Sequence, residues 1–248
     1  MNILQEFVLL GTNSARTKAY LQIMAKAGYR PGSVVLMAAD PDKIYQERIE
    51  YHESAIDFNA NSDYFNLKEP VLVTLERLQL PYQVLLTDSV NSIETKQALE
   101  KSLASYVIYS GFGGQIVKKE VLALGKRFLH IHPGVVPTYR GSTTVYYSLL
   151  KEGRIGASAI FLEEQIDAGP IIKTKWFELK NIHPDLDYIV DPFIRADLLK
   201  EVISDYLNIG YFQERSQSKE MGETYYIIHP VLKHISILGL GSKGGGGE

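Results

Sequence analysis

The sequence predicts an α/β fold in which a mostly parallel β-sheet is covered by helices on both faces. Short segments that are almost entirely apolar alternate along the chain with segments whose apolar residues recur at helical spacing. Strands of a parallel sheet are buried on both faces and therefore read as continuous apolar runs, which is the pattern seen here. With 248 residues, 45% of them hydrophobic, the chain is long enough to bury such a core.

The first strand, turn and helix are predicted close to the N-terminus. Residues 7–10 are apolar and run into the turn residues 11–13, after which apolar residues follow helical spacing up to Gly28, a typical helix C-cap. The later elements are read in the same way. We expect strands at 33–38, 83–86, 106–109, 127–131, 157–162 and 171–177, and a helix at 142–150.

The pattern changes past Gly210, where short apolar segments alternate with turn residues. Strands are predicted at 211–212, 224–228 and 234–238. We therefore expect a main domain over residues 1–205, a small β-rich C-terminal extension over 206–240 and a flexible Gly-rich tail over 241–248. Because exposed edge strands can pair with a second copy, the extension could support a homodimer.

The composition favours a small-molecule substrate. The net charge is −3 and Lys and Arg are scattered, so the basic surface that nucleic acids require is missing and no nucleic-acid partner is expected. The absence of cysteine excludes disulfides, thiolate catalysis and cysteine-ligated metals. No apolar run reaches about 18 residues and no secretory signal pattern opens the chain, so we expect a cytoplasmic protein without a membrane partner.

Two histidines and one aspartate are the candidate catalytic residues. His130 and His132 end a predicted strand and, being two residues apart, project from the same face. Asp167 follows a later strand, in a turn with Gly169 and Pro170. A base, an oxyanion donor and an orienting carboxylate are what acyl transfer to an amine needs. The same residue types also make up a two-His-one-carboxylate metal site, so this spacing leaves both interpretations open.

Two motifs show a resemblance to a known family. Residues 132–141 read His-Pro-x-x-x-Pro-x-Tyr-Arg-Gly, and residues 167–172 read Asp-Ala-Gly-Pro-Ile-Ile. Together they resemble the folate-dependent formyltransferases, which include the methionyl-tRNA, glycinamide ribonucleotide and sugar N-formyltransferases. The likeness covers roughly residues 5–175 and is strongest over 106–172.

The resemblance implies a Rossmann-like domain that moves a formyl group from N10-formyltetrahydrofolate to a primary amine. It makes His132 and Asp167 catalytic and places His130 where the family has an asparagine, so that an imidazole would hold the oxyanion. It implies no metal. The implied formyltetrahydrofolate site comprises Tyr109, Gly111, Phe112, Gly113, Gly114, Gln115, Ile116 and Asp167, and the implied substrate loop comprises Tyr139, Arg140 and Gly141.

The sequence specifies the acceptor amine less closely than the formyl donor. A tRNA acceptor is disfavoured because few residues follow the shared domain and the charge is negative. A nucleotide-linked amino sugar or another small amine fits better. Two other classes stay open on the residues alone. They are a metal-dependent hydrolase that uses His130, His132 and Asp167, and a folate-binding protein without catalysis.

Overall fold

The computed structural model describes residues 1–54, 64–178, 185–217 and 222–242. The chain forms two compact units, Met1–His130 and Ile131–Glu248. The boundary between the units falls within one strand, β5, whose last two residues belong to the second unit. The two units are described in turn.

The first unit alternates strands and helices. Its strands are ordered β3-β2-β1-β4-β5, and each neighbouring pair is parallel. The chain first extends the sheet from β1 to β3 and then returns to the other side of β1 with β4, so that the strand order reverses between β1 and β4. Ligands of open α/β sheets bind at the carboxyl ends of the strands at such a point. The elements are β1 (Asn2–Thr12), α1 (Ala15–Lys26), β2 (Tyr29–Ala38), α2 (Pro41–Ser54), α3 (Val71–Arg77), β3 (Tyr82–Leu86), α4 (Ile93–Lys101), β4 (Tyr106–Ser110), α5 (Lys119–Leu122) and β5 (Arg127–His132).

Local signals in the sequence account for the first strand and helix. Residues 7–10 of β1 are completely buried, as a strand covered on both faces requires. Helix α1 begins where the Ser14 hydroxyl accepts a hydrogen bond from the amide of Thr17, which satisfies one of the free donors of the first turn. Just beyond the helix, Gly28 has a φ of 87°, the left-handed conformation that ends many helices.

The second unit combines the end of β5 with two further strands and the longest helix. Strands β7 and β8 pair antiparallel, helix α7 packs against both, and a separate two-stranded sheet pairs β6 with β9. The predicted α/β class with a mostly parallel sheet is therefore confirmed. The elements are β6 (Tyr139–Gly141), α6 (Thr144–Glu152), β7 (Ile155–Phe161), β8 (Ile171–Phe177), a π-helical turn (Leu186–Val190), α7 (Asp191–Ile209), β9 (Glu223–Tyr225) and α8 (Pro230–Ser242).

The β-rich character predicted for the C-terminal part is wrong over most of its length. Residues 206–209 belong to α7, residues 211–212 form no strand, and the strand predicted at 234–238 is part of helix α8. The short apolar segment at 234–238 suggested a strand, whereas Pro230 occupies the first helical position, where its fixed φ favours a helix start. In the described residues after Gly210, β9 is the one strand that overlaps a predicted strand. The limits of the predicted domains stay a prediction, and residues 243–248 of the predicted tail lie outside the described residues.

None of the helices in the four described ranges has the combination of length and hydropathy that a membrane span needs.

Candidate active site

His132 is the last residue of β5 and is almost completely buried, with 2% of its surface exposed. Its Nε2 lies 2.7 Å from the carbonyl oxygen of Tyr139. A carbonyl oxygen can only accept, so this contact assigns a proton to Nε2 and leaves Nδ1 as the basic nitrogen of the neutral ring. The hydroxyl of Thr144 lies 3.4 Å from the same Nε2 and donates to the carbonyl of Pro133 at 2.6 Å.

The other side of the ring faces a carboxylate. Nδ1 of His132 lies 3.3 Å from Oδ2 of Asp167, a side chain that is 9% exposed. The same oxygen accepts a hydrogen bond of 2.8 Å from the amide of Gly141. Asp167 has a φ of 50°, in the left-handed region, which lets the turn carry the carboxylate toward His132. The structure thus brings the side chains of His132 and Asp167, both predicted to be catalytic, into direct contact.

Burial dominates the electrostatics of His132. Desolvation lowers its pKa below the ordinary histidine value, the negative charge of Asp167 acts in the opposite direction, and Arg195 lowers it further. The contact with the Tyr139 carbonyl and the charge of Asp191 both raise the pKa, but the net shift is downward. The imidazole is therefore neutral at pH 7 and available as a base.

The segment after β5 approaches the imidazole closely because it contains a glycine. A Cβ atom on Gly134 would lie 2.9 Å from Nε2 of His132 and 2.8 Å from both the Tyr139 carbonyl oxygen and the Thr144 hydroxyl. Any side chain there would push the histidine away from the carbonyl that fixes its proton. Gly134 is thus required by the packing around the His132 ring.

The predicted substrate loop contributes mainly backbone groups and one buried cation. The Tyr139 side chain is buried, stacks on Tyr225 and donates to Glu152 at 2.7 Å, whereas its carbonyl oxygen faces His132. Arg140 is also buried, and its guanidinium donates to the side-chain oxygen of Gln217. Arg140 and Gln217 line a cavity of about 470 Å³.

The predicted formyltetrahydrofolate site follows β4 in the first unit. Arg16 of α1 donates to the Ser110 hydroxyl at 3.1 Å and to the carbonyl of Gly111, which holds the end of β4 against the start of α1. The Tyr109 hydroxyl is buried and has no hydrogen-bond partner within the ranges that the structure describes. A buried polar group of this kind commonly forms a hydrogen bond with a ligand or a water molecule. Burial raises the pKa of Tyr109, so the hydroxyl keeps its proton.

The rest of this segment is more exposed. Gln115 is engaged with the neighbouring loop: its amide oxygen accepts from the amide of Val90 at 3.0 Å and its NH₂ group donates to the carbonyl of Asp88. Gly113, Gly114 and Ile116 are exposed, so their backbone and side-chain atoms are accessible to a ligand. His130, the third predicted catalytic residue, is half-buried and its ring lies 6.0 Å from that of Tyr109.

Three contributors to the site carry no obvious sequence signal. Thr144 contacts His132 but looks like an ordinary residue at a helix start, and Gln217 lies in an irregular segment. The charge of Arg195 lowers the pKa of His132. In the sequence, however, Arg195 and Asp191 four residues earlier have the spacing of a common ion pair on a helix surface. Only the folded chain shows that these side chains lie near His132 and Asp167.

The chain is an α/β protein with a mostly parallel sheet and a buried His–Asp pair next to a strand end. A family model described as "Formyl transferase" matches residues 6–187. The chain belongs to this formyl transferase family.

Individual relatives agree with this assignment. A methionyl-tRNA formyltransferase from Finegoldia magna is 28% identical over 159 residues, which cover 62% of this chain and 50% of the relative. A sugar N-formyltransferase structure from Shewanella sp. shares the fold with a TM-score of 0.56 at 19% identity, covering 95% of this chain and 88% of that one. The chain matches about half the length of its Finegoldia relative.

A second structure was solved with ligands. It is an N-formyltransferase from Helicobacter canadensis in complex with folinic acid and dTDP-3-aminofucose. Its TM-score is 0.54 at 16% identity, and the match covers 90% of this chain and 71% of that one. At this level of identity the likeness establishes the fold.

Proposed function

We propose that this protein transfers a formyl group from N10-formyltetrahydrofolate to a primary amine of a small-molecule acceptor. The observation that carries the proposal is the buried contact between His132 and Asp167, since both residues belong to the segment matched by the family model. A neutral, desolvated imidazole next to a carboxylate is suited to accept a proton from an amine and to stabilise the resulting charge.

Three residues of the chain have distinct roles in the proposed formyl transfer. The His132–Asp167 pair takes the proton that the attacking amine loses, with Asp167 stabilising the imidazolium. His130 donates to the formyl oxygen while negative charge develops on it. When bound, N10-formyltetrahydrofolate supplies the formyl carbon. The acceptor nitrogen forms a bond to this carbon, the bond between the carbon and N10 breaks, and N10 receives the proton that the amine lost.

The groups after β4 fit a reduced folate. They lie at the carboxyl ends of β1 and β4, where the strand order of the first unit reverses. The buried Tyr109 hydroxyl and the accessible backbone of Gly113 and Gly114 offer the polar contacts that a pterin ring needs. The remaining members of the proposed donor site are Gly111, Phe112, Gln115, Ile116 and Asp167.

The acceptor that we propose to test first is a nucleotide-linked amino sugar. The cavity next to the Asp167 loop, about 470 Å³ in volume, falls in the size range of small-molecule sites. Two glutamates, Glu163 and Glu214, line it together with Arg140, so an ammonium group would be attracted there. The Helicobacter structure with dTDP-3-aminofucose supports this choice of acceptor class by analogy.

The test is an acceptor screen that follows the release of tetrahydrofolate from N10-formyltetrahydrofolate. Calorimetry with folinic acid first establishes whether a reduced folate binds. Amino sugars linked to dTDP or UDP, glycinamide ribonucleotide and simple amines are then supplied in turn, and the formylated product is identified by mass spectrometry. Binding of folinic acid without formylation of any acceptor would indicate a folate-binding protein and contradict the proposal.

A metal-dependent hydrolase is not favoured. Nε2 of His132 faces a backbone carbonyl, which requires a proton on that nitrogen, and Nδ1 already faces Asp167, whose Oδ2 is also bonded to the amide of Gly141. A metal would have to displace these contacts. We expect formyl transfer to be unchanged by a chelator such as EDTA, and loss of turnover that zinc restores would contradict this expectation.

A further inference from the structure

Gln217 lies in an irregular segment whose backbone is attached to the start of β8. Two residues earlier, Arg215 forms a reciprocal backbone pair with Ile171: the Ile171 amide donates to Arg215 at 2.8 Å, and the Arg215 amide donates back at 2.9 Å. Residue 171 directly follows the turn that carries Asp167. The segment is therefore held next to that turn, and the side chain of Gln217 reaches it.

The amide of Gln217 uses its full hydrogen-bonding capacity. Its Oε1 accepts from Nε and Nη2 of Arg140 at 3.2 and 2.8 Å. Its Nε2 donates to the carbonyl oxygens of Asp167 and Gly169 at 2.8 and 2.7 Å. A guanidinium only donates and a carbonyl only accepts, so these four partners leave one orientation of the amide. Gln217 thereby joins β6 to the catalytic turn.

The catalytic turn needs support because of its backbone conformation. A non-glycine residue in the left-handed region, such as Asp167 with a φ of 50°, has a strained backbone that the surrounding structure must hold in place. The carboxylate of Asp167 is held through Gly141, the neighbour of Arg140 in β6. Its carbonyl oxygen is held through Gln217, which is itself bonded to Arg140. Two separate links thus attach the turn to the same short strand.

We propose that Gln217 is a positioning residue that fixes the Asp167 turn against Arg140 and so keeps the Asp167 carboxylate at the imidazole of His132. The inference rests on the proposed catalytic role of the His132–Asp167 pair. Gln217 itself touches neither imidazole nor carboxylate, so it acts through the backbone of Asp167.

Two substitutions of Gln217 test the acceptor oxygen and the donor NH₂ group of its side chain. Gln217→Met keeps a similar length and removes all four hydrogen bonds. Gln217→Glu keeps an acceptor for Arg140 but places an oxygen against the carbonyls of Asp167 and Gly169. The matched controls are Gln213→Met and Gln213→Glu, four residues earlier in the same segment, where the side chain is exposed. Circular dichroism and thermal melts confirm that each variant is folded.

The first readout is turnover with formyltetrahydrofolate and an accepted amine. Both Gln217 variants should lower kcat between about 10-fold and 100-fold, since a small displacement of a catalytic group has effects of this size. KM for the folate should change less than about threefold, because Asp167 is the one member of the proposed donor site in the displaced turn and the other members belong to residues 109–116. The Gln213 variants should match the wild type. Wild-type turnover in Gln217→Glu or Gln217→Met would overturn the proposal.

The second readout does not depend on activity. NMR titration of the imidazole resonances, assigned with His132→Asn, follows His132 in the wild type and in Gln217→Met. The charge of Asp167 raises the pKa of His132. Asp191 also raises this pKa and Arg195 lowers it, but the substitution changes neither residue. Displacement of the Asp167 carboxylate should therefore lower the midpoint, by at least about half a pH unit. A smaller change would overturn the role of Gln217, whereas lack of turnover in the wild type would contradict only the proposed function.

Discussion

Oδ2 of Asp167 lies 3.3 Å from Nδ1 of His132, on the side of the ring opposite the Tyr139 carbonyl. The carbonyl requires the proton on Nε2, so the lone pair of the neutral ring points toward the carboxylate. Protonation of Nδ1 converts this arrangement into a charge-assisted hydrogen bond. The geometry of the pair thus allows it to take up one proton at Nδ1.

Removal of the imidazole should abolish most of the activity. His132→Ala is expected to lower kcat by at least about 100-fold, the scale of a lost acid–base group. Binding of folinic acid, measured by calorimetry, should be largely retained, since His132 is not a member of the proposed donor site. His132→Asn is the smaller change and still offers a polar group to the Tyr139 carbonyl. A turnover near that of the wild type in either variant would rule out the role assigned to His132.

The carboxylate of Asp167 should control the pH dependence. Asp167→Asn keeps an oxygen for the Gly141 amide but removes the negative charge that raises the His132 pKa. The pKa, already lowered by burial, should fall further, so the acid limb of the kcat profile should move to lower pH while the maximum rate decreases. Profiles measured between about pH 4 and 9 check both effects. An acid limb that stays in place would show that Asp167 does not act on His132.

The turn after Asp167 should tolerate no side chain at Gly169. A Cβ there would lie 1.9 Å from the carbonyl oxygen of Phe161 in β7, so the backbone would have to shift. Gly169→Ala is expected to lower the free energy of unfolding by about 2 kcal/mol or more, as measured by urea denaturation. Gly113→Ala serves as the control, because nothing lies within 4 Å of its added methyl group. Equal stability of the two variants would contradict the packing described here.

Ion pairs between β8 and α7 should make the stability depend on pH. Lys175 lies 2.5 Å from Asp197 and 2.6 Å from Glu201. Burial raises the pKa of each carboxyl, but the bonds from the lysines outweigh burial, and both pKa values are lowered overall. A carboxyl with a lowered pKa stabilises the fold above its unfolded pKa of about 4, and this contribution is lost as the pH falls through the folded value.

Substitution of this lysine tests the ion pairs. Lys175→Met should lower the free energy of unfolding at pH 7 by about 1 kcal/mol, a modest value because partly exposed pairs are screened by solvent. The difference from the wild type should shrink as the pH is lowered below about 4. Lys119→Met, at an exposed position of α5, is the control and should change little at either pH. A difference in the free energy of unfolding that does not vary with pH would mean that the methylene chain of Lys175, and not its charge, stabilises the fold.

The periodicity of the sequence predicted the core strands because burial on both faces leaves a continuous apolar run. Strand β8 was predicted with its observed limits, and β4 and β5 end one residue beyond the prediction. The prediction failed in α8, where the short apolar segment at 234–238 was interpreted as a strand. Short apolar runs fit either a strand or a helix, and the start signal at Pro230 decided for the helix.

By itself the sequence determined the class of fold, the family resemblance and the choice of His132 and Asp167 as candidate catalytic residues, because these depend on local patterning and on short motifs. Only the tertiary structure decided which atoms meet: the Tyr139 carbonyl on one side of the imidazole and the Asp167 carboxylate on the other. It also decided the four hydrogen bonds of Gln217, a single polar residue in an irregular segment. Hydrogen bonds between distant residues leave no periodic trace in a sequence, since their partners are brought together only when the chain has folded.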